Sequence, residues 1–136
     1  VTRTRDLRRI LRNVKDALLP GGLFVFDLVD ESDFAEVFTG ASIESGKDLY
    51  VGVDSTCYQR SGTTLGRAIF TFFHRSGSAW RRLSAVIVER CWTTGEIESL
   101  LEDAGLELVR LERIDPEENE LVFVARTFWV CRRPRG

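Results

Sequence analysis

Asp27 and Asp30 stand three residues apart at the end of the apolar run LFVFDLVD. Open α/β sheets bind ligands beyond the carboxyl ends of their strands, so a carboxylate there can attract an amine or accept a hydrogen bond from a hydroxyl. Asp27 reads equally as such a contact and as a solvated strand terminus. Asp30 opens the stretch DESD ahead of a short helix pattern and reads better as a helix-capping acid. His74 is the only histidine. An imidazole suits proton removal near neutral pH, which makes it the candidate general base, although its place at a strand end beside a turn suits an exposed bystander better. A serine hydrolase triad would have to use it, and no GxSxG elbow is present.

Tyr50, Tyr58, Phe70, Phe72, Phe73, Trp80 and Trp92 crowd the middle of the chain. They suit the wall of an apolar substrate pocket or a face for a second subunit, with Tyr50 and Phe72 the candidate substrate contacts. The plainer alternative is that most of them fill a core. Phe72 and Phe73 are adjacent in a strand-like run and so point to opposite faces. Cys57, Cys91 and Cys131 are odd in number, far apart and without CxxC spacing. That argues against a disulfide framework and a zinc site; each thiol suits a small buried role.

The elements that position these groups follow from periodicity. Leu7, Ile10, Leu11, Val14 and Leu18 form one helical face, ended by Pro20 and reversed by Gly21-Gly22. LFVFDL is apolar at every position but one, as expected of a parallel strand covered on both faces. ESDFAEVF predicts a short helix stopped by Gly40, and 41–48 reads as loop. Three strand-like runs follow at 49–60, 64–75 and 79–92, separated by RSGTT and RSGSA, and predict an antiparallel meander. Thr93 and Glu96 form a capping box for a helix with Ile97, Leu100, Leu101 and Ala104 on its apolar face and Gly105 as its stop. The runs 106–114 and 120–133, joined by DPEEN, predict an antiparallel pair.

The chain has 136 residues, the usual size of one domain. No apolar run is long enough to span a bilayer, and VTRTRDLRRIL lacks the apolar core of a signal peptide. A cytoplasmic protein with no membrane role is the default expectation. Arg3, Arg5, Arg8, Arg9, Arg12 and Lys15 make the start basic, but the net charge is −2. A solvated helix face is therefore preferred to nucleic-acid binding. There is no methionine and residue 1 is valine. Either the start is missing, or residue 1 reflects an alternative initiation codon.

The order of these motifs resembles the C-terminal half of a class I S-adenosylmethionine-dependent methyltransferase. LRRILRNVKDALLPGGLFVFDL is similar to the helix, turn and fifth strand of that fold. ERCWTTGEIESLLEDAGLELVRL is similar to the next helix and the sixth strand, with Ala104-Gly105-Leu106 at the junction. ENELVFVARTFWVCRRP is similar to the seventh strand, which runs antiparallel. The resemblance implies an α/β fold: the second half of a Rossmann-like sheet with an antiparallel β insertion after the fifth strand. It forms a single partial domain of three parts, 1–40, 41–92 and 93–136. The family binds its cofactor through a glycine-rich loop after strand one, and no GxGxG or GxGxxG occurs here, so no cofactor-binding residue carries over. The implied function is the substrate-side part of a methyltransferase acting on a small molecule. S-adenosylmethionine is the family's cofactor, and the isolated chain is expected to be inactive. Either a missing N-terminal half or a partner chain is expected over the open sheet edge, and the insertion is a candidate homodimer contact. The alternative is a non-catalytic α+β ligand-binding or dimerisation module.

Overall fold

The computed structural model describes residues 1–117 and 124–136. They form two compact units, one of residues 1–33 with 91–136 and the other of residues 34–90.

The first unit begins with helix α1 (Thr4–Ala17). Its apolar face buries Leu11 and lays Leu7 and Leu18 against the core, while Ile10 turns outward at the edge of the stripe. The helix's last carbonyls are met by Arg133, whose guanidinium donates to the carbonyl oxygens of Lys15 (3.2 Å) and Leu18 (2.7 Å). A cation therefore satisfies groups that the helix leaves without partners. The Pro20-Gly21-Gly22 turn leads into strand β1 (Leu23–Val29). Helix α3 is Thr94–Ala104, numbered after the short α2 described below. It has the expected capping box, with the Thr93 N–H donating to Glu96 (3.0 Å) and the Glu96 N–H to the Thr93 hydroxyl (3.3 Å). Gly105 stops it in the left-handed region, at φ 74°.

Strands β6 (Glu107–Ile114) and β7 (Arg126–Arg132) complete a three-stranded sheet in the order β1-β7-β6. Strand β7 is antiparallel to both neighbours, so β1 and β6 run parallel to each other on either side of it. The expected pairing of the last two runs is present. However, the last strand begins at Arg126, Val124 and Ala125 lie outside it, and residues 120–123 of the predicted run lie outside the described residues. One sheet face is packed: Phe24, Phe26, Leu28, Trp129 and Cys131 meet Leu11, Ile97, Leu100, Leu101 and Ala104 of the two helices.

Strand β1 corrects an expectation. It pairs antiparallel with β7, and its exposure alternates, so it is neither parallel to its partner nor covered on both faces. Phe24 and Phe26 are core residues, whereas Val25 is 55% exposed on the other face. Among the described residues the apolar run is packed on one face only. Cysteine burial also differs from expectation. Cys131 is fully buried, which pushes its thiol up to about 11 and leaves it inert, but Cys57 and Cys91 are only half-buried.

The second unit holds α2 (Phe34–Val37) and strands β2 (Gly40–Ser45), β3 (Leu49–Arg60), β4 (Thr63–Ser76) and β5 (Ala79–Arg90). The strands form an antiparallel sheet in chain order. Arg60 pairs with Thr63 across the two-residue turn Ser61-Gly62, both with positive φ, the geometry that matches the twist of a hairpin. The meander ends at Arg90 rather than 92. The predicted loop 41–48 contains β2, paired with β3 from Gly40↔Ser55 to Ser45↔Tyr50. Every β2 residue is exposed, so the strand has no buried face to write an alternation into the sequence. The rings of Phe34 and Phe38 meet at a tilt, with centres 4.7 Å apart, and with Leu65 and Ala68 make this unit's small core.

Candidate functional site

The carboxyl end of β1 carries both predicted aspartates, in different settings. Asp27 lies on the open face, in an ion pair with Arg126 at 3.2 Å, and both side chains stay partly exposed. Asp30 is mostly buried and fully occupied. One oxygen accepts from the Ser32 N–H (3.0 Å) and the Ser32 hydroxyl (2.6 Å) and forms an ion pair with Arg113 (2.8 Å), and the other accepts from the Thr127 hydroxyl (2.6 Å). The bond to Ser32 N–H, two residues on, is an Asx turn, the local bond that aspartate makes readily.

Arg113 is the centre of this cluster. Besides Asp30, its guanidinium reaches the Ser32 hydroxyl (2.9 Å), Asp33 (2.8 Å) and Asp115 (2.9 Å). The connection 30–33 is thus tied to β6, and through Thr127 to β7. Glu31 adds a third tie by accepting the Thr94 N–H at the start of α3 (3.1 Å).

Burial by itself would raise the Asp30 carboxyl. The hydrogen bonds from Ser32 and Thr127, then the Arg113 charge, outweigh it and hold the group below its ordinary 3.8. A carboxyl depressed on folding contributes stability above its unfolded pKa and loses it as pH falls through the folded value. The contribution should therefore be intact at neutral pH and be lost progressively as pH falls below the ordinary 3.8 and through the lower folded value. In Arg113→Gln the carboxylates lose their shared cation. Acid unfolding followed by circular dichroism should then shift to higher pH, and an unchanged midpoint would show that Asp30 is held by the hydroxyls alone.

The remaining candidates lie in the second unit. Tyr50 and Phe73 are cross-strand partners on one face of the meander. With Ile43, Gly52, Thr71 and Trp80 they line an open cleft of about 390 Å³ with almost wholly carbon walls. Tyr50 and Trp80 meet edge to face at 5.4 Å. Tyr50, Phe73 and Trp80 are 43%, 42% and 45% exposed, so these rings do not fill a core. Phe72 lies on the opposite face, stacked on Phe70 at 6.2 Å. Tyr50 and Phe72 therefore do not share a wall. His74 is exposed on β4, on the Phe72 face, paired with Leu49 and Arg81. Arg113 and Arg126 escaped sequence reading. They lie 83 and 99 residues from the aspartates they meet at 2.8 and 3.2 Å, respectively, and no local pattern marks such pairs.

No protein-family model matches the sequence, and no curated protein is similar to it. Solved structures are similar. A S-adenosylmethionine-dependent methyltransferase from Clostridium acetobutylicum superposes with a TM-score of 0.78 at 20% identity, over 97% of this chain and 52% of that one. CalS10, an amino pentose methyltransferase from Micromonospora echinaspora solved with S-adenosylmethionine bound, gives 0.60 at 15% identity over 98% and 52%. KedS8, a sugar N-methyltransferase from Streptoalloteichus, gives 0.64 at 18% identity over 97% and 50%. The chain spans about half the length of the structures it matches. Its fold is that of the C-terminal half of a Rossmann-like methyltransferase sheet, with an antiparallel β meander inserted.

Proposed function

We propose that this chain, folded as the C-terminal half of a S-adenosylmethionine-dependent methyltransferase, is the substrate-side part of such an enzyme, acting on a small molecule. One observation carries the reading. Among the described residues strand β1 is paired on one edge only, and its second face is half-open, with Val25 and Leu23 exposed, although its residues suit two covers. An unpaired apolar strand edge is a liability unless something pairs with it. Neighbouring strands from a cofactor-binding half, in the same polypeptide or a partner chain, would supply that pairing.

The residues present do not fit the cofactor. The β1–α2 connection, Asp30-Glu31-Ser32-Asp33, has no glycine, and its acidic groups are already engaged by Arg113, Thr127 and Thr94. A glycine-rich turn that lets backbone N–H groups approach a nucleotide is not found among the described residues. In this reading the chain contributes the walls that hold and orient an acceptor, and alignment in a dry pocket is what such a reaction needs most. Asp27, exposed at the rim, is the acidic contact to the substrate; Asp30 holds the rim in shape.

The test is the coding sequence upstream of the Val1 codon, together with titration of S-adenosylmethionine into the 136 residues. An open frame running into a strand and a glycine-rich loop, with no cofactor binding by the chain alone, supports the reading. Tight binding by the chain alone would overturn the division of labour.

The aromatic face around Tyr50, Phe73 and Trp80 is, in the same reading, the contact with a second copy of the chain. Trp80→Asp is expected to convert a dimer to a monomer in sedimentation, because a carboxylate cannot be buried there unpaired.

A further inference from the structure

On the face of the meander opposite Tyr50, a smaller cleft of about 210 Å³ is lined by Val37, Phe38, Val53, Ser55, Ala68, Phe70, Ile87 and Glu89. All belong to the 34–90 unit. Most of the wall is aliphatic or aromatic, with two polar side chains, the Ser55 hydroxyl and the Glu89 carboxylate. Glu89 is half-buried. It makes no hydrogen bond or ion pair among the described residues. The strand register shows why. Its cross-strand neighbour is Gly66, and the next residue in that row is Cys57; the adjacent row is Ile87, Ala68 and Ser55. The residues beside Glu89 on its own face therefore carry no charge. The space above Gly66 is taken by the ring of Phe38.

An unpartnered carboxylate at an apolar cleft is costly to desolvate and gains most from a cation that arrives with its own apolar body. We propose that this cleft binds a small organic amine. The ammonium group would pair with Glu89 and lie near the Phe38 ring, and a single saturated or flat ring would fill the space among Val53, Phe70 and Ile87. Charge complementarity sets the sign of the occupant. The volume sets its size, since drug-sized pockets run to roughly 300–1,000 Å³ and this one is smaller. The phenylalanine face adds a cation–π attraction to the ion pair. As the anchor for a methyl acceptor, the site rests on the function proposed above; as an amine site it needs only this unit.

The experiment is a titration of the 136-residue chain with cyclohexylamine and, separately, with cyclohexanol at pH 7, followed by amide NMR shifts. The expected result is saturable shifts confined to residues around Ala68, Ile87 and Phe38, with the amine bound at least tenfold tighter than the alcohol. Glu89→Gln should lower amine affinity at least tenfold and leave the alcohol unchanged. Ile87→Trp, which plugs the mouth from an exposed position, should remove both and serves if Glu89→Gln perturbs the fold. Equal affinities for amine and alcohol, shifts scattered over the surface, or amine binding that survives both substitutions would overturn the proposal. None of these readouts involves the cofactor, so they fail or succeed separately from the methyltransferase reading.

Discussion

Trp129→Ala is expected to cost about 3–5 kcal/mol in unfolding free energy, the usual range for emptying a large aromatic site, while Trp129→Phe should stay within about 1 kcal/mol of the parent. Trp129 lies on the central strand β7, is 2% exposed and stacks on Phe26 with ring centres 6.0 Å apart. It belongs to the core that both helices share. Alanine would leave a void in the middle of that core. Phenylalanine leaves a smaller one and also removes a defect. The indole N–H is buried without a hydrogen-bond partner among the described residues, and an unsatisfied buried donor costs roughly 1–3 kcal/mol. Urea unfolding monitored by circular dichroism measures both variants. A phenylalanine variant as unstable as the alanine one would show that the N–H has a partner, such as an ordered water.

Gly66→Val is the second large effect, and it acts in the other unit. A Cβ added at Gly66 would overlap the near atoms of the Phe38 ring, its Cγ and both Cδ. The glycine has no positive φ, so only volume is at issue. Phe38 cannot move away cheaply, because it packs against Phe34 of α2, and those two rings with Leu65 and Ala68 are the unit's core. Overpacking typically costs about 1–3 kcal/mol for modest additions. Gly66→Ala should fall in that range, and valine should exceed it and detach α2. Hydrogen exchange across residues 34–38, with the unfolding curve, reads both effects. Combining Gly66→Ala with Phe38→Leu should recover part of the loss, since residues in contact do not add independently. Strict additivity would mean that the methyl is accommodated elsewhere.

The sequence by itself determined the elements whose signals are local. The apolar stripe of α1, the Thr93–Glu96 box and Gly105 stop of α3, and the three meander strands with their glycine turns all follow from spacing within a few residues, because helix and strand geometry repeat over that distance. The order of those elements was enough to indicate the class of fold. Only the tertiary structure decided the rest. Strand β2, exposed throughout, left no pattern to read. The composition of β1 suggests a strand buried on both faces, whereas its exposure alternates and only one face is packed among the described residues. Asp30 looked like a free rim carboxylate or a cap until Arg113, 83 positions away, was found holding it with Asp33 and Asp115. Likewise Glu89 is set apart only by what stands across the strands from it, a glycine and a cysteine in place of a cation. Which charge meets which is fixed by chain folding over long separations, and a sequence carries no periodicity at that range.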